Sequence, residues 1–116
     1  MSKSAVFLEM NDSRSYYRKI IRRKGFKGEE CEVLVHKVML IAEIKAIIEQ
    51  NEWTQSEAAK KLGVAQPRVA ELNRICIDKF STDLLIRYLY RLNRLVAVVI
   101  SEPEKENQER SNRLTP

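Results

Sequence analysis

The chain has 116 residues, 44% hydrophobic and 32% charged, with a formal net charge of +5, which suits one domain with a modest core. No apolar run approaches the ~18–20 residues of a membrane span and no signal-peptide block follows the N-terminus, so a cytoplasmic protein without a membrane partner is expected. Cys31 and Cys76 read as reduced thiols, and a lone His with two Cys argues against structural zinc. No cofactor is expected. The sequence has no paired His/Asp/Ser set and only three glycines, so it offers neither a nucleophile triad nor a phosphate-cradling loop and argues against an enzyme.

The charge is unevenly spread. Residues 1–28 carry eight Lys or Arg against two acids, residues 29–53 two against six, and residues 54–94 eight against four. Two basic regions around an acidic one give the charge pattern that phosphate neutralisation requires.

In chain order, residues 1–28 are a basic arm, flexible or partly helical. Its run Y-Y-R-K-I-I-R-R-K-G-F-K mixes aromatic and basic residues and is broken by Gly25 and Gly28. Two readings of the run stand side by side. It follows a phosphate backbone or a minor groove, or it is a short amphipathic helix with Ile20 and Ile21 on the body and its charges in water.

Residues 29–50 carry the longest helical pattern. Leu34, Val38, Ile41 and Ile48 share a stripe, with Leu40, Ile44 and Ile47 beside it, and a sector so broad implies burial on more than one side. Trp53 reads as a packed hinge after this scaffold helix. His36 has no partner beside it in sequence and takes a structural role.

The next stretch is T-Q-S-E-A-A-K-K-L-G-V-A-Q-P-R-V-A-E-L-N-R, residues 54–74. Thr54 and Glu57 are spaced as a capping box. Gly63 ends the first helix, and Pro67 fits the first turn of a second. Ala59, Leu62, Val64, Val69 and Leu72 form the seam between them. Gln66, Pro67, Arg68, Glu71 and Asn73 remain outward. This is a helix-turn-helix with a polar second face.

Residues 75–80 form an apolar loop. Ser81 caps a further helix with a buried stripe at Leu85, Tyr88, Leu89 and Leu92, while Asp83, Arg87, Arg91 and Arg94 line another face. Asn93 suits a left-handed helix end. Leu95, Val96, Ala97, Val98, Val99 and Ile100 then read as a strand, β-branched at four positions. A single strand cannot satisfy its own backbone groups, so it pairs with a second copy or with the Val6-Phe7-Leu8 patch. Two-fold pairing into a homodimer is the commoner solution. Residues 101–116 are nearly free of apolar side chains and read as a disordered tail.

The spacing of Gln55, Ala59, Gly63, Val64, Val69 and Leu72 resembles the lambda-repressor-like (XRE-type) DNA-binding proteins. The run from Thr54 to Val69, followed by F-S-T-D-L-L and an apolar segment, looks most like the HigA-type antitoxin and regulator branch. Two positions depart from that pattern: Ala65 stands where a Ser, Thr or Asp often caps, and Ile75-Cys76-Ile77 stands where Gly or Arg is common. The resemblance implies an all-α, lambda-repressor-like bundle of about five helices within residues 29–100, dimerised through its C-terminal strand. It also implies phosphate contacts from Gln55, Asn73, Arg74 and Lys79, and a small RelE-type toxin as a second partner, wrapped by residues 1–28. Such toxins tend to be basic, which suits a positive arm poorly unless residues 6–10 do the binding.

Two recognition helices one duplex turn apart, ~34 Å, would read a palindromic operator in double-stranded DNA. Donor geometry matches Gln66 to adenine and Arg68 to guanine, with Pro67 giving apolar contact and Glu71 accepting from cytosine or steering Arg68. The expected function is a repressor, as the antitoxin of a HigBA-like pair. The alternatives are a stand-alone or phage-type XRE regulator, or a helix-turn-helix used mainly for protein contact.

Overall fold

The computed structural model describes the backbone of residues 3–102, with side chains from Ser13 onward. Within them lie α1 (Lys3–Arg23), α2 (Gly28–Gln50), α3 (Gln55–Leu62), α4 (Gln66–Asn73) and α5 (Thr82–Arg91), with a single 3-10 turn at Ile77–Lys79. Helix α2 is the scaffold because it is apolar on two sides. Towards its C-terminus, Ile41, Ile44, Ile47 and Ile48 join Ala58, Ala59, Leu62, Val69, Leu72, Phe80 and the α5 stripe Leu85, Tyr88, Leu89 and Leu92 in the main core. Towards its N-terminus, Cys31, Val35 and Val38 form a second cluster with Ile21 of α1. Ile75 packs against both and joins them.

The N-terminal segment is therefore a helix folded back on α2, rather than an arm trailing from the body. Ile21 is buried and Ile20 half-buried, as the amphipathic reading of this run requires. Val6, Phe7 and Leu8 lie in helical backbone and are unavailable as a strand partner. The two helices are also clamped by charge. Arg18, itself buried, donates from Nε to Glu32 Oε1 at 2.6 Å and from Nη2 to Oε2 at 3.2 Å. Burial pushes the Glu32 pKa up, but the Arg18 hydrogen bond and the charges of Arg18, His36 and Arg14 outweigh it and hold the carboxyl below its ordinary value.

Four helices end in the same closure, a left-handed residue followed by an amide that reaches back five residues. The left-handed residues are Glu52, Gly63, Ile75 and Asn93. The returning amides are Trp53 to Ile48, Val64 to Ala59, Cys76 to Glu71 and Arg94 to Leu89, at 2.9–3.2 Å. Only Gly63 adopts this conformation without steric cost. Ile75, at φ 54°, is the costly member because its branched Cβ crowds the following carbonyl. Its packing against both apolar clusters is what holds it there.

No strand forms among the described residues. Residues 95–100 have no regular structure, as expected where a single chain offers their amides no ladder. Val96 packs on the main core, whereas Leu95, Val98 and Ile100 are 87%, 79% and 93% exposed. Residues 103–116 lie outside the described residues, and the expectation of a disordered tail with them. Among the described residues no helix is long and apolar enough to cross a membrane. Both thiols are free.

Candidate nucleic-acid interface

The helix-turn-helix is built by local chemistry. Thr54 Oγ1 accepts from the Glu57 amide at 3.1 Å while Glu57 Oε1 accepts from the Thr54 amide at 3.4 Å, so the capping box starts α3 where the sequence places it. Gly63, at φ 71° and ψ 38°, turns the chain. Ala65 begins α4 without a side-chain cap. The omission is mild: Pro67 has no N–H, and the Arg68 amide already donates to the Ala65 carbonyl at 2.9 Å. Of the seam, Ala59, Leu62, Val69 and Leu72 are buried and Val64 is half-buried, and Ala58, which the seam omitted, is buried as well.

The far ends of both helices are fastened by cations from outside the motif. Arg91 Nη1 of α5 donates to the Leu62 carbonyl at 2.6 Å, and Lys45 Nζ of α2 donates to the Asn73 carbonyl at 3.0 Å. Each places positive charge at the negative end of a helix dipole. Residues 29 and 28 positions away, respectively, close these contacts, with no local signal for Lys45. Arg91 was visible only as one of a row of arginines.

The outward face divides into free and engaged residues. Gln66, Pro67 and Asn73 are exposed on α4, and Gln55 is exposed at the start of α3. Arg74 and Lys79 are exposed after α4, and neither side chain has an ion pair or hydrogen bond among the described residues. Arg68 differs. Its guanidinium lies 4.7 Å above the Phe80 ring, Nη2 donates to the Lys79 carbonyl at 3.1 Å, and Nη1 stands 3.6 Å from Glu71 Oε2. Both partners are half-buried. Arg68 and Glu71 thus brace residues 75–80 against α4, and a base edge is reached by either only after these contacts break. The steering of Arg68 by Glu71 is the part of their expected roles that this geometry resembles.

Elsewhere, Trp53 is half-buried against the main core with Lys61 Nζ 5.7 Å from its ring centre. His36 is exposed. Arg87 pairs with Asp83 at 3.1 Å, and Arg94 Nη1 donates to the Asn93 carbonyl at 3.2 Å. Among the described residues no three His, Cys, Asp or Glu side chains converge as metal ligands.

A helix-turn-helix domain family matches residues 24–101, the greater part of the chain. The chain belongs to the helix-turn-helix domain family. This helix-turn-helix protein is also similar to a solved structure described as a "Putative XRE Family Transcriptional Regulator", with 29% identity and a TM-score of 0.60 over 66% of this chain and 85% of that one. The XRE-type resemblance of residues 54–74 therefore agrees in sequence and in fold. None of the curated proteins matches it.

Proposed function

We propose that this helix-turn-helix protein is a sequence-specific DNA-binding regulator, a repressor acting as a homodimer on a palindromic operator. The observation that carries the reading is the division of α4. Val69 and Leu72 are fully buried, while Gln66, Pro67 and Asn73 face outward with the unengaged cations Arg74 and Lys79 beside them. A polar helix face flanked by free positive charge fits a major groove edged by phosphates. Gln66 reads an adenine edge and Pro67 gives apolar contact. Gln55, Asn73, Arg74 and Lys79 hold phosphates. Arg68 and Glu71 act from behind by keeping the loop in place. No catalysis is assigned to the chain.

The dimer rests on exposed apolar surface. Leu95, Val98 and Ile100 stand open together with Ile86 and 70%-exposed Tyr90, which share one face of α5. Pairing of residues 95–100 across a two-fold axis covers this surface and supplies the missing backbone partners. The resemblance to the HigA-type branch extends the proposal to a small toxin partner, tested by co-purification with the product of a small adjacent gene.

The test is binding to the protein's own upstream DNA, alongside sedimentation. The native chain should sediment as a dimer, and Val98→Glu as a monomer with weakened binding. Gln66→Ala should lose about 1–3 kcal/mol at one base position per half-site. A native monomer, or an unchanged base preference in Gln66→Ala, contradicts the proposal.

A further inference from the structure

We propose that the tip of the α1–α2 hairpin, Arg22, Arg23, Lys24 and Lys27, is a second phosphate-binding surface that grips the DNA backbone outside the stretch covered by α4. The inference rests on the DNA-binding reading above and adds a site to it.

Three observations carry it. First, the cations of this fold separate into two groups. Arg18, Lys45, Arg68, Arg87, Arg91 and Arg94 are each tied to a carboxylate or a carbonyl oxygen. Arg22, Arg23, Lys24 and Lys27 have no ion pair or side-chain hydrogen bond among the described residues; Arg74, Lys79 and scattered lysines such as Lys19, Lys37 and Lys60 share this, but only the tip gathers four such cations within six residues. Three of the four are exposed and Arg22 is half-buried, so they do not hold the fold together.

Second, the hairpin and the loop that follows the recognition helix share one apolar cluster. Ile75 and Ile77 of that loop pack against the cluster containing Ile21 and Cys31, and Ile21 directly precedes Arg22. The side chains that place Arg74 and Lys79 after α4 therefore meet the same apolar cluster that anchors the tip.

Third, the tip is held rather than loose. Lys24 and Gly25 amides return to the Ile21 and Arg22 carbonyls at 3.1 and 3.0 Å, and Gly25 takes φ 102°, which favours glycine. The Arg18–Glu32 pair clamps the helices one turn below. Glu29 and Glu30 stand in the first turn of α2, where acids suit the positive helix end, and neither pairs with a tip cation. A rigid cationic turn tied to the recognition loop through a shared apolar cluster meets a backbone phosphate at little ordering cost. It recognises the polyanion without reading bases, which extends the footprint and leaves the sequence preference alone.

The experiment uses the full chain with a duplex that the native protein selects from a random pool, and follows affinity across a salt series. In R22Q/R23Q/K24Q/K27Q the slope of log K against log salt should fall by ~1.8 or more, since each lost phosphate contact removes ~0.9. Base preference should be unchanged, and Arg87→Gln should keep the native slope. Ethylation interference on native protein reads the same contacts without substitution, and should show interfering phosphates outside the two major-groove stretches. An unchanged slope with native-like melting, or interference confined to those stretches, overturns the tip while leaving the DNA reading intact. Failure of the native protein to bind DNA in a salt-dependent way overturns both.

Discussion

Arg68→Met separates a brace from a base reader. Methionine keeps much of the side chain's length over Phe80 but removes the charge and every donor. Three contacts are lost: the guanidinium–ring stack at 4.7 Å, the bond to the Lys79 carbonyl at 3.1 Å and the 3.6 Å pairing with Glu71. A partly exposed cation–π contact is worth ~0.5–1 kcal/mol and a partly exposed ion pair ~0–1 kcal/mol, with a hydrogen bond adding ~1 kcal/mol. One side chain makes all three, so they are not additive, and a total of about 1–2 kcal/mol follows. For a domain of this size that lowers Tm by roughly 4–10 °C. The assay pairs thermal melting with binding to a panel of single-base operator variants. The fold predicts a lower Tm, weaker binding to all variants alike and no change in base preference. A native Tm together with lost guanine discrimination at one position refutes the brace and restores Arg68 to the base edge.

Other substitutions probe the frame behind the interface. Glu52→Gly should raise stability by about 0.5–1 kcal/mol, because Glu52 is exposed at φ 54° where a side chain costs ~1–2 kcal/mol and glycine's extra chain entropy offsets part of the gain; a lower Tm contradicts this. Thr54→Ala removes the capping box and should cost about 1 kcal/mol in denaturant unfolding, without changing the m-value. The folded pKa of Glu32 is lowered from 4.5, so its stabilisation is complete above the unfolded value and fades as pH falls through the folded one. Glu32→Gln should therefore cost about 1 kcal/mol at neutral pH, a figure reduced for solvent screening because the Glu32 side chain is 41% exposed, with the gap to the native chain closing in acid; a gap independent of pH is inconsistent with the Arg18–Glu32 clamp.

The helix-turn-helix was legible because its signals are local. Thr54 with Glu57, Gly63 and Pro67 each act within a turn of their own position, and the capping box and left-handed turn form where those residues stand. Ser81 likewise caps α5 by accepting from the Leu84 amide at 3.1 Å. The broad apolar sector of residues 29–50 announced burial on two sides, and α1 supplies one of them. What covered that side was legible only as one of two readings of the preceding run, the one that set Ile20 and Ile21 on the body. The order of α1 depends on Ile21 meeting Cys31 and Val35 and on Arg18 meeting Glu32, contacts 10 to 14 residues apart across a turn. The engagement of Arg68 was hidden for the same reason, since Phe80 and Lys79 reach it only through a turn in which isoleucine occupies a glycine's conformation. Residues 95–100 are the converse case: their composition suits a strand, but a ladder needs a partner that one chain does not contain.

Hydroxyl-radical footprinting of the native chain on the DNA upstream of its own gene, run beside sedimentation of the same sample, tests the central claim most directly. A dimer that protects two stretches centred about one duplex turn, ~34 Å, apart is the predicted result. A single protected stretch from a monomer, or no protection at low salt, contradicts the assignment of α4 to the major groove.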